Sequence, residues 1–218
     1  MHTREHYDAD LANLHQQLHD LGVMATTAVA RALEALARQD HTLAQQIRGD
    51  DALIDQAQHR LEERAVSLIA LQQPVARDLR RILAAIAISS ELERIADYAK
   101  GIARLVMGPA GARPIHASAD LLRVGAMAQT SLTHVLAAVA ANDEAAARAL
   151  ALEEAQIDRL YKQLKAQLAA DLATSTDPAR DADLLFVAQN IERIADRATN
   201  VAERVVYWAS AQTITLNP

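Results

Sequence analysis

The sequence predicts an all-α protein of two tandem, repeated three-helix bundles, six long antiparallel helices in all, and three observations carry that prediction. The first is composition. Apolar residues make up 51% of the 218, yet only 3% are aromatic, and there are just six glycines and five prolines. Such a balance favours long helices packed through small side chains. The second is a single helix-breaking run near the midpoint, Gly108-Pro109-Ala110-Gly111-Ala112-Arg113-Pro114. The third is an internal duplication. Leu18 to Asp55 aligns with Leu121 to Asp158, pairing Gly22 with Gly125, Met24 with Met127, Thr27 with Thr130 and Asp40 with Asp143. Further on, Glu93-Arg94-Ile95-Ala96-Asp97 recurs as Glu192-Arg193-Ile194-Ala195-Asp196.

Taken in order, the first helix is expected over residues 4–38, ending before Asp40, whose carboxylate can cap a second helix over 41–71. Pro74, after Gln72-Gln73, stops that helix and a third follows over 75–107. The Pro- and Gly-rich run marks a linker over 108–116, dividing a first repeat (1–107) from a second (117–212). The second repeat holds helices over 117–141, 143–173 and 178–210, the last opened by Asp177-Pro178, a capping carboxylate before a first-turn proline. At about 1.5 Å per residue, helices of this size are roughly 45 Å long, and elongated antiparallel bundles are their natural packing. Gly22 and Gly125, inside predicted helices at equivalent positions, read as places where two helices approach closely.

Charge and inventory exclude several functions. The formal net charge is −6 and Lys and Arg are scattered rather than clustered, so no nucleic-acid partner is expected. The absence of cysteine rules out disulfides, zinc-thiolate sites, iron-sulfur clusters and thiol catalysis. No glycine-rich phosphate loop or Gly-x-Ser-x-Gly elbow occurs, so no enzymatic activity is expected. The longest uncharged stretch, 124–142, carries Gln129, Thr130, Ser131, Thr133 and His134 and reads as a buried helix rather than a membrane span. The first residues lack the apolar core of a secretory signal, and a cytoplasmic location is the expectation.

The residues with most chemical content are four acidic pairs. Asp51 and Asp55 in the second helix correspond to Glu154 and Asp158 in the fifth; Glu93 and Asp97 in the third correspond to Glu192 and Asp196 in the sixth. Each pair is spaced i, i+4, which puts like charges on one helical face at a cost of a few tenths of a kcal/mol unless a cation intervenes. At 100° per residue Asp51 and Asp55 border the apolar stripe of Ile54, Leu61, Ala65 and Leu68, so carboxylates from two helices of one bundle can converge. Such oxygen clusters suit iron, manganese, magnesium or zinc. The competing reading is a set of solvated carboxylates in weak surface ion pairs with neighbours such as Arg94 and Arg193. His15 and His19, also i, i+4, have no counterpart in the second repeat and read as a solvated face. Trp208, at the end of the sixth helix, reads as core rather than as an exposed contact patch.

The two Glu-Arg-Ile-Ala-Asp motifs, the run Pro74-Val75-Ala76-Arg77-Asp78-Leu79-Arg80 and the acidic pairs of the second helices together resemble the PhoU family over essentially the whole chain. The chain departs from the usual pattern in having Ala96 and Ala195 where many relatives have glycine. The resemblance implies two three-helix bundles, frequent homodimers and no enzyme. It further implies multinuclear iron or zinc clusters, whose ligands carry over as Asp51, Asp55, Glu93, Asp97, Glu154, Asp158, Glu192 and Asp196. Asn200, four residues after Asp196, is expected to add a neutral oxygen to the second cluster.

Family members are negative regulators of phosphate-starvation signalling, adaptors that contact the phosphate ABC transporter, through its ATPase subunits, and the phosphate sensor histidine kinase. The resemblance therefore implies a regulator of phosphate uptake and homeostasis that meets the membrane only through its partners. A metal-binding bundle with a storage or oxidation role is the alternative, although none of the eight histidines lies three residues after a glutamate as ferritin-like di-iron sites require.

Overall fold

In the computed structural model, which describes residues 2–108 and 114–216, six helices follow one another: α1 (His2–Arg38), α2 (His41–Gln72), α3 (Ala76–Met107), α4 (Ala119–Ala141), α5 (Glu144–Ala173) and α6 (Pro178–Ser210). Each was expected within two residues of its observed ends. Residues 109–113 of the expected linker lie outside the described residues, but its far end is anchored. Ile115 is fully buried and Ser118 caps α4 by accepting from the Leu121 amide at 3.2 Å.

The duplication is visible in the helix ends. Gln39 and Asn142, equivalent residues, both adopt the left-handed conformation (φ 57° and 50°) that closes α1 and α4. The following amides, of Asp40 and Asp143, return to the Ala35 and Ala138 carbonyls, a Schellman-type closure. The two aspartate side chains then accept from the Leu43 and Ala146 amides at 2.9 and 3.0 Å, capping α2 and α5. Asp177 departs from expectation. It stands at the N-cap of α6 with Pro178 next, but its side chain makes no capping bond.

Each repeat forms a three-helix bundle: α1 packs on α2 and α3, and α4 on α5 and α6. The repeats also pack on each other through equivalent helices, α1 on α4 and α3 on α6, so that one continuous apolar core runs through both. Gly22 and Gly125 sit where α1 and α4 meet. A methyl group at Gly22 would come within 2.9 Å of Leu136 Cδ2, and one at Gly125 within 2.7 Å of Leu33 Cδ2. Leu33 and Leu136 are themselves equivalent in the repeat, so each glycine receives the other repeat's leucine. α4 is apolar enough to span a membrane by length and composition, with a mean hydropathy of 1.3 over its most apolar window. Its stripe of Leu121, Val124, Ala128, Leu132 and Val135 is buried in the bundle.

Trp208 is core, 5% exposed. Its ring packs 4.9 Å from that of His15, and the Arg81 guanidinium lies 5.7 Å above its centroid. His15 thus departs from the solvated reading. Burial first, then the Arg81 charge, pushes its pKa down to about 4, while His19 one turn on is exposed.

Candidate metal centre

Among the described residues, helices α2 and α5 each pack on only the other two helices of their own repeat, and the acidic pairs lie along the α2–α3 and α5–α6 seams. The i, i+4 spacing sets each pair on one face. Burial of the intervening apolar residues, Ile54 on α2 and Ile95 and Ala96 on α3, turns that face toward the seam. Ile157, Ile194 and Ala195 do the same in the second repeat.

The acidic pairs act on one another through their charges. Burial, then Asp97, Asp55 and Asp51, pushes the Glu93 carboxyl above the usual range, with Arg94 opposing. Burial, then Asp158, Asp196 and Glu192, does the same to Glu154, which is only 9% exposed. Glu192 is raised by burial and then Asp196, against Arg193. Every one of the eight predicted carboxylates therefore belongs to one of two four-carboxylate groups, one per repeat. Tyr161, 8% exposed, and Gln58, also 8% exposed, stand at equivalent positions on α5 and α2, one turn beyond these groups. Burial followed by the charge of Glu192 raises the Tyr161 hydroxyl. Sequence reasoning passed over both residues because a buried polar side chain leaves no trace in a helical periodicity.

The two groups differ in how their charge is answered. In the first, Lys100 Nζ reaches across the seam from α3, donating to Asp51 Oδ2 on α2 at 2.5 Å and to Asp97 Oδ1 at 2.8 Å. In the second, the equivalent residue is Thr199, buried, with its hydroxyl turned back to the Ala195 carbonyl at 3.3 Å. The cations recorded there pair within their own helices: Lys162 with Asp158 at 2.7 Å, and Arg193 with Asp196 at 3.1 Å. Glu192 Oε2 is buried without a hydrogen-bond donor, although Arg193 Nε lies 3.4 Å away. Asn200 Nδ2 donates to Glu91 Oε2 at 3.3 Å, beside the Arg197 guanidinium on the same oxygen, so it takes part in the α3–α6 contact.

Among the described residues, no three carboxylate or imidazole side chains stand in an assembled metal-binding array. The donor chemistry nonetheless fits a hard or borderline cation in the second group: four carboxylates and one buried oxygen lacking a donor. The first group fits less well, since an ammonium already holds two of its four members. A separate groove of about 730 Å³ runs between α1 and α4, lined by His15, His19, Val23, Thr133, Leu136 and Trp208, away from both acidic groups.

A duplicated three-helix bundle with a carboxylate group on one seam of each repeat defines a class of helical, carboxylate-bearing proteins. Comparison with known proteins makes it particular. The model of the PhoU domain matches twice, over residues 18–106 and 121–205, and the chain belongs to the PhoU family. It is 36% identical over 212 residues to the phosphate-specific transport system accessory protein PhoU homolog of Zymomonas mobilis, spanning 97% of this chain and 90% of that one. Its similarity to the corresponding protein of Rhizobium meliloti is 34% over 213 residues, 96% of this chain and 89% of the relative. The crystal structure of PhoU from Pseudomonas aeruginosa superposes with a TM-score of 0.90 at 29% identity, covering 94% of this chain and all of that one. The phosphate transport system regulatory protein PhoU from Streptococcus pneumoniae gives 0.88 at 28%, covering 96% and 99%.

Proposed function

We propose that this protein regulates phosphate uptake as a non-enzymatic accessory of a phosphate transport system. The observation that carries the reading is the match to phosphate-transport accessory proteins over nearly the whole length of both chains. In this reading the protein is a cytoplasmic adaptor, working as a homodimer. When phosphate is plentiful it docks on the ATPase subunit of the phosphate ABC transporter and on the phosphate sensor histidine kinase, and holds starvation signalling down. Its own helices stay out of the bilayer, and membrane association comes through its partners.

Iron or zinc belongs to this reading as a structural ion. Glu154, Asp158, Glu192 and Asp196 would hold it, and a divalent charge there would offset the repulsion that four carboxylates on one seam otherwise carry. Asp51, Asp55, Glu93 and Asp97 form the corresponding group of the first repeat.

The adaptor reading is tested by affinity purification of the tagged protein from cells grown in high and in low phosphate. Recovery of the transporter ATPase subunit and the kinase, dependent on phosphate, is the expected result. A tagged protein that complements its deletion yet recovers neither partner in either medium would rule the adaptor out.

A further inference from the structure

We infer that Lys100 is the resident cation of the first carboxylate group, so that metal binding is asymmetric and confined to the second group. The inference rests on the reading of the second group as a metal site, and adds that the two copies of the duplication have parted in function.

The geometry is direct. Lys100 Nζ lies within hydrogen-bond distance of carboxylates on two different helices, Asp51 and Asp97. Its ammonium therefore offsets carboxylate charge on both helices of the seam. Asp51 is only 14% exposed on its side chain, while the Lys100 side chain that reaches it is 38% exposed. A divalent ion entering the same group would have to displace that ammonium or sit beside it, and close like charges repel. A tethered cation also competes with a dilute one without depending on a free ligand concentration.

The second group differs at the equivalent position. Thr199 stands where Lys100 does, and no charge can come from it. Arg197, in the place of Tyr98, turns away to Glu91 of α3. Lys162 pairs with Asp158 of its own helix, Arg193 pairs with Glu192 and Asp196 of its own helix, and Lys165 of α5 acts on Glu192 through its charge alone. A lysine thus bridges carboxylates of two helices on the first seam, where a threonine stands on the second.

The test compares metal content and thermal stability in the full chain. Protein stripped with a chelator is reloaded with Zn²⁺ or Mn²⁺, passed through gel filtration and assayed for metal. Wild type should lose its metal when Glu192→Gln and Asp196→Asn are combined and keep it when Glu93→Gln and Asp97→Asn are combined. Lys100→Thr, which copies the second repeat, should raise the metal content about twofold, with the additional metal removed by Asp97→Asn. Lys100→Arg should behave as wild type. Equal metal loss from the two carboxylate pairs, or no gain with Lys100→Thr in a protein that does bind metal, would overturn the inference while leaving the metal reading standing.

If wild type retains no metal, the metal reading fails and the stability arm decides the role of Lys100. Lys100→Thr should then melt a few degrees lower, with the loss recovered by adding Asp97→Asn. A melting temperature unmoved by Lys100→Thr would overturn the inference. A Lys100→Thr protein that folds only when Zn²⁺ or Mn²⁺ is present would support it.

Discussion

His15 offers a quantitative check on how the two ends of the chain pack. Its ring lies against Trp208 of α6, with Arg81 of α3 over that indole, and its Nε2 is buried without a partner. Burial and the Arg81 charge disfavour the imidazolium, lowering the pKa from 6.5 to about 4. A histidine that is harder to protonate folded than unfolded contributes stability that is fully present above 6.5 and lost as pH falls toward 4. That fall corresponds to about 3 kcal/mol at most, from 1.36 kcal/mol per pKa unit.

Other groups titrate in the same range. Glu93, Glu154 and Glu192 are raised, so their ionisation works in the opposite direction. The perturbation is therefore His15→Leu, which keeps an apolar side chain of similar size against Trp208, and the quantity is a difference. Urea unfolding of wild type and variant at several pH values between 4 and 7.5 should show the wild type losing about 2 to 3 kcal/mol relative to the variant on going down. A difference that stays constant across that range would refute the buried, neutral imidazole and with it this contact between α1 and α6.

Three further outcomes follow from the same structure. Gly125→Ala should cost about 1 kcal/mol net in the wild type, where crowding of Leu33 outweighs the gain in helix propensity. It should stabilise by about 1 kcal/mol in a Leu33→Ala background; the same sign in both backgrounds would contradict the α1–α4 contact. Glu154→Gln, in chelator, should stabilise by about 1 kcal/mol at pH 7.5, reflecting the burial of its charge and then three like-charged neighbours at a few tenths each. A raised carboxyl carries its penalty only when ionised, so this benefit should vanish by pH 4, and calorimetry at the two pH values checks it. Asp143→Ala should cost about 1 kcal/mol as a lost cap, whereas Asp177→Ala, with no capping bond to lose, should leave denaturant stability nearly unchanged.

Where local chemistry specifies structure, it could be read directly. Asp40 and Asp143 announce helix starts by their side chains alone, the glycine pair announces close approach, and i, i+4 spacing places the carboxylates on common faces. The composition of the 108–114 run announces the break between repeats. What stayed hidden depends on partners distant in sequence. Nothing in Gly22 says that it receives Leu136, and nothing in Lys100 says that it crosses to Asp51. Asn200 is one helical turn from Asp196, yet the packing of α3 on α6 turns it to Glu91. His15 shares a spacing with exposed His19, and only the position of Trp208, almost two hundred residues away, decides that it is enclosed. The carboxylates were thus legible as a set, while the difference between their two groups was not, because it lies in a single side chain whose reach is set by the fold.

The central claim, that this protein holds phosphate uptake and its signalling in check, is tested most directly by deleting the gene and following a phosphate-starvation reporter in phosphate-rich medium. The account predicts that expression rises on deletion and returns to its low level when the wild-type chain is restored. Expression that stays low in the deletion strain would contradict it.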